Sequence, residues 1–188
     1  MNSKKLMVFV CVLLFILSSI ILVDREGGFT NSRRNLITFS DFVESGNVND
    51  ITLTIYHIDP LTRTPFPWRI EDLIRSREDY KIVIKGNQLR EHMDLLIAIN
   101  DATLTPVSEP SILNARIYFI FEANGENILD VAMWGWGSSM ISMIVNGIEV
   151  EEHYIFYDII IPFLPDDALE PLGRWLYFNS NFPEVLGN

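Results

Sequence analysis

Cysteine is almost missing: Cys11 is the only one in 188 residues, and it lies inside an apolar run. The rest of the chain has no thiol, so it holds neither a disulfide framework nor a cysteine-based metal site. That absence fits an exported bacterial protein. Histidine is nearly as scarce, with His57, His92 and His153 alone, and these share no metal-binding spacing of the HExxH kind. Cations are also few: 14 Lys and Arg stand against 25 Asp and Glu, a net charge of −11. This argues against a nucleic-acid partner, because phosphate binding needs a basic footprint. The patterns GxGxxG and GxxxxGK[ST] do not occur. Ser138 and Ser139 stand in Trp136-Gly137-Ser138-Ser139-Met140, which is not GxSxG, so there is no nucleophile elbow. No motif calls for a cofactor.

What the chain does have is apolar sequence. Apolar residues make up 48% and aromatics 12%, with only 10 Gly and 9 Pro, a composition that folds into a globular body of one domain. The longest apolar stretch, Leu6 to Val23, has no charged residue. As a helix it spans about 27 Å, close to the hydrocarbon thickness of a bilayer. Candidate cleavage positions lack the small residues a signal peptidase reads. Ser18 and Ser19 have Ile16 and Leu17 two places earlier, and Gly27 and Gly28 have Arg25 and Glu26. Val8, Phe9 and Val10 before Cys11 do not resemble a lipoprotein signal. The expectation is therefore a retained single-pass anchor, with a cleaved signal peptide as the alternative. Residues 1–5 are a short tail, 6–23 a transmembrane helix, 24–35 a tether and 36–188 a domain outside the cytoplasm. The orientation follows from the short N-terminal tail, since Lys4 and Lys5 nearly balance Arg25, Arg33 and Arg34.

Charge is unevenly spread beyond Val23, where 12 cations and 25 acids give −13. Seven of the cations are Arg63, Arg69, Arg75, Arg77, Lys81, Lys85 and Arg90. From Glu91 to Gly173, 14 acids accompany Arg116 alone. The pattern predicts a solvated acidic surface with one mixed patch.

Within the domain, ITFSDFVESG predicts a short helix capped by Ser40 or Asp41 and stopped by Gly46. Residues 51–59 alternate Ile51, Leu53, Ile55 and His57 against Thr52, Thr54, Tyr56 and Ile58, the period of a strand. Pro60, Pro65 and Pro67 make 60–69 a loop, IEDLIRSRE a helical turn and 80–86 a second strand. Leu89, Met93, Leu96, Ile97 and Ile99 recur at helical spacing behind Asn87. Asn124-Gly125 and Asn146-Gly147, each between apolar runs, predict two hairpins. A last helical region is interrupted by Pro162, Pro165 and Pro171. The fold class is α+β, a transmembrane helix followed by a mostly antiparallel sheet with helices packed on one face.

Two sets of residues are candidates for function. Trp134 and Trp136, sharing one strand face among glycines, are candidates to form with Met140 and Met143 an adaptable apolar surface, the alternative being core packing at a bulge marked by Gly135 and Gly137; Trp68 in the proline loop is either a further contact or a loop anchor. Glu151, Glu152, His153 and Asp158 are the densest titratable group, a conceivable acid/base or divalent-metal cluster. His57 and His92 read as ordinary surface or half-buried residues. The sequence thus favours an anchored interaction module that touches the membrane and another envelope protein. A hydrolase using the Glu/His/Asp cluster and a structural envelope component are the alternatives.

Overall fold

The structure is a computed structural model that describes residues 36–76, 81–107, 114–134 and 142–178, with the backbone alone at 134, 177 and 178. The expected tail, transmembrane helix and tether all lie outside the described residues, as do Trp136 and Met140. Among the described residues no helix is long and apolar enough to cross a membrane.

Six strands form one antiparallel sheet in the order β2-β1-β3-β4-β5-β6. They are β1 (Ile51–His57), β2 (Lys81–Lys85), β3 (Ala115–Ala123), β4 (Glu126–Trp134), β5 (Ser142–Val145) and β6 (Ile148–Glu151). The two Asn-Gly pairs close β3–β4 and β5–β6, with positive φ at Asn124, Gly125, Asn146 and Gly147 as the two-residue turn demands. Pro106 bridges to Val150 and covers part of the β6 edge. At the opposite edge, Lys81, Val83 and Lys85 of β2 are exposed, and charged side chains on an edge discourage further strand addition.

Strand alternation divides the side chains between two faces. Leu53, Ile55, Phe119, Phe121, Leu129, Val131, Met143 and Val145 point to one side and are fully buried. Helices α1 (36–44), α3 (Gly86–Leu89), α4 (Met93–Ala98), α5 (Ile155–Ile160) and α6 (Asp166–Phe178) cover that side. Leu36, Phe39 and Val43 bury one stripe of α1, and Phe39 meets Phe121 with ring centroids 4.8 Å apart. The sheet's other face carries a smaller cluster, Ile58, Ala115, Tyr118 and Ala132, and Leu73 of α2 (Ile70–Arg75) packs there. Helices therefore lie on both faces, unequally: IEDLIR is amphipathic enough to cover one end of the second face.

Local expectations fare differently. Residues 36–40 are already helical, so Ser40 is not a cap; it is buried inside α1 and its hydroxyl donates to the Ile97 carbonyl at 3.1 Å. Gly46 does end this region, at φ +85° with its N–H on the Val43 carbonyl. The helix expected behind Asn87 starts at Gly86 instead, with Lys85 at the cap position, and passes through a 3-10 turn at Arg90–His92. Gly86 sits at its start because a Cβ there would come within 2.1 Å of the Val48 carbonyl oxygen. Pro162 falls in a 3-10 turn and Pro165 between helices, whereas Pro171 lies inside α6.

Candidate interaction site

The proline loop after β1 is built around a buried arginine. On β3, Ala115 pairs with Trp134 and Ile117 with Met133, leaving Arg116 as the extra residue of a bulge, a device that re-aims a side chain. Arg116 is only 1% exposed. Its Nη1 donates to Asn114 Oδ1 at 2.7 Å and to the Ala115 carbonyl at 3.0 Å. Nη2 donates to the Thr62 carbonyl at 3.0 Å and to Thr64 Oγ1 at 3.1 Å. These acceptors are all neutral. Burial lowers the guanidinium pKa, and the nearby Asp59 carboxylate opposes that shift.

The arginine fastens the loop at successive points. Asp59 Oδ1 accepts the Leu61 N–H at 2.8 Å, an Asx turn that starts the reversal. The Thr64 hydroxyl, while accepting from Arg116, donates to the Phe66 carbonyl at 2.7 Å. Asn114 Oδ1 also takes the Trp68 N–H at 3.2 Å, and the Trp68 carbonyl accepts the Ala115 N–H at 2.8 Å. Between these fixed points Pro65-Phe66-Pro67 stands clear of the domain, with Phe66 78% exposed. Ile74, on the helix that follows, is also exposed.

The sequence candidates separate accordingly. Trp68 is half-buried and packs on the smaller cluster, so it anchors the loop, and Phe66 two residues earlier is the side chain displayed. The signal for Phe66 was its two flanking prolines, which keep the segment out of any sheet. Met143 pairs with Met133 in register and is fully buried in the main core, which removes it from the proposed methionine surface. Trp134 ends β4 opposite Ala115.

The titratable group is spread around the β6–α5 corner. Glu151 is exposed. Glu152 is half-buried and accepts a short hydrogen bond from the hydroxyl of Tyr157, which is 3% exposed. Burial pushes the Glu152 carboxyl up to about 7 against the opposing pull of that hydrogen bond, and it raises the phenol well above its ordinary value. His153 Nδ1 accepts the Ile155 N–H at 3.3 Å while its ring stacks on Tyr154, and burial lowers its pKa. Burial raises the Asp158 pKa. Among the described residues, no three His, Cys, Asp or Glu side chains converge to hold a metal ion. The corner works as a latch between β6 and α5.

His92 is half-buried against Phe163, with ring centroids 5.0 Å apart. His57 instead borders a cavity of about 200 Å³ between the end of β1 and α6, whose apolar walls include Ile58, Pro60, Leu164 and Leu172. Asp59 and Asp167, both exposed, stand at its rim. Burial lowers the His57 pKa and Asp167 opposes it.

No protein-family model, curated protein or solved structure matches this chain.

Proposed function

We propose that this chain is an interaction module held outside the cytoplasm by one membrane helix, Leu6 to Val23, and that the loop 60–69 is its contact element toward another envelope protein. The observation that carries this reading is Phe66, a large aromatic ring left 78% exposed on a loop tied down by a buried arginine. Aromatic anchors dominate the energetics of protein interfaces. A loop already fixed in place loses little further freedom when it binds. The unbroken apolar run and the absence of a peptidase site support the anchor.

The test is cross-linking of the full-length protein in native membranes, comparing wild type with Phe66→Ala and Trp68→Ala. Adducts to envelope proteins are expected to disappear in Phe66→Ala; adducts unchanged in both variants sink the reading. Fractionation tests the anchor: the full mass should stay in the membrane fraction through salt and carbonate washes, and a soluble product shortened at its N-terminus would replace the anchor with a cleaved signal.

The second reading is a hydrolase centred on Glu152, favoured by a carboxyl that titrates near neutrality, the range of an acid/base catalyst. Its expected signature is hydrolytic activity of the purified full chain that Glu152→Gln abolishes, and a broad substrate screen without turnover removes it.

A further inference from the structure

Phe66 is displayed on the loop 60–69, and the cavity beside His57 borders the start of that loop at Pro60. We propose that a second copy of this chain is a partner of that loop, with Phe66 of each copy seated in the cavity of the other about a two-fold axis. The inference deepens the interaction reading above and rests on it.

Size is the first argument. A ligand pocket for a small molecule usually encloses about 300–1,000 Å³. The cavity here holds about 200 Å³. Apolar cavities of about 150 Å³ take up a benzene ring, so this one suits a single aromatic side chain. Its chemistry agrees, because Ile58, Pro60, Leu164 and Leu172 offer apolar walls, and burial favours the neutral form of His57 at the edge.

Charge supplies the second argument. Arg63 and Arg69 lie three residues to either side of Phe66, and both are exposed. The rim of the cavity carries the exposed carboxylates of Asp59 and Asp167. Seating the ring therefore brings guanidinium groups toward carboxylates, a pairing with directional hydrogen bonds.

Topology supplies the third. Pro60 lines the cavity and Phe66 is six residues further along the same loop. The cavity therefore opens at the root of the loop that carries the projection, and a closed two-fold dimer, in which each copy uses the same surface, can employ both. Phe66 does not fill its own cavity: the Arg116 bonds to Thr62 and Thr64 hold the loop with the ring in solvent. If the anchor reading holds, a two-fold axis along the membrane normal also suits two copies in one bilayer.

The experiment measures the mass of the full-length chain in detergent by light scattering, corrected for bound detergent, over a dilution series. Wild type is expected to be a dimer and Phe66→Ala a monomer. Arg69→Asp and Asp167→Arg, both at exposed positions, should each weaken the dimer at least tenfold, and combining them should restore it. A wild type that stays monomeric, a dimer that survives Phe66→Ala, or a double variant that does not recover overturns the proposal. The membrane cross-linking distinguishes the two readings. A monomeric wild type whose envelope adducts vanish in Phe66→Ala leaves the interaction module standing without self-association. If Phe66→Ala changes neither mass nor adducts, both readings fall.

Discussion

Arg116 and Tyr157 are two large buried side chains with polar ends, and the fold uses them in opposite ways. Arg116 gives four hydrogen bonds to neutral oxygens of its own neighbourhood and of the loop, and the segment it holds ends in an exposed ring. Tyr157 gives one, to Glu152, and the helix it belongs to is buried in the main core. In the first region polar burial fixes a displayed surface; in the second it fixes a joint. Buried polar atoms carry no functional message by themselves, and what differs is whether the element they hold faces solvent or core.

The strongest way to break this comparison is at Arg116. Arg116→Ala removes a fully buried side chain together with its hydrogen bonds to Asn114, Ala115, Thr62 and Thr64, an expected loss of about 3 kcal/mol. For a domain of this size that lowers the melting temperature by about 6–12 °C. Arg116→Lys should recover only part, since an ammonium cannot reproduce the planar fork. Thermal unfolding followed by near-UV circular dichroism checks both, and an Arg116→Ala variant as stable as wild type would mean that the loop is held by something else.

Next in size is the pH dependence of the corner. The Glu152 carboxyl is raised to about 7 in the folded chain from an ordinary 4.5. Its stabilising contribution is therefore complete below about pH 4.5 and is lost as the pH rises through about 7. Glu152→Gln should gain on wild type between pH 5 and pH 8 by roughly 2 kcal/mol. His57 and His153, both lowered by burial, run the other way and lose stability as the pH falls. The difference between wild type and variant at each pH cancels them. A difference that stays flat from pH 5 to pH 8 would show that Glu152 does not titrate in that window.

A smaller effect belongs to Tyr157→Phe. The phenol is the donor that pulls the Glu152 pKa down, so removing it raises that pKa further. The cost should be about 1 kcal/mol and larger at pH 8 than at pH 5, because the charged carboxylate is the form deprived of its donor. Equal losses at both values would assign the hydroxyl a purely packing role.

These pairs also explain what could be read from the sequence. Both hairpins were legible because an Asn-Gly turn is settled by two adjacent residues. The faces of β1 were legible because Ile51, Leu53 and Ile55 alternate with threonines and Tyr56. Ser40 misled because it looks like a helix cap, and its real partner, the Ile97 carbonyl, lies 57 positions away. The coverage of both sheet faces was hidden in α2, where Leu73 alone is fully buried. Phe66 and Trp68 could not be ranked from the loop itself. Which ring shows is decided by Arg116 and Asn114, about 50 residues later, and by a bulge that no local pattern announces.

The smallest expected effect on stability is the sharpest test of what the loop is for. A ring that is 78% exposed shields little apolar surface within its own chain, so Phe66→Ala should change stability by less than about 0.5 kcal/mol. The backbone around it should be unmoved, because the Thr64 hydroxyl bonds the Phe66 carbonyl rather than the ring. A loss above about 1 kcal/mol in the monomeric chain would mean that the ring packs on its own domain in solution. Phe66 would then belong with Trp68 as an anchor, and the contrast between a displayed loop and a buried joint would vanish. Unchanged stability together with lost contacts in the membrane is the combination that only an interaction residue gives.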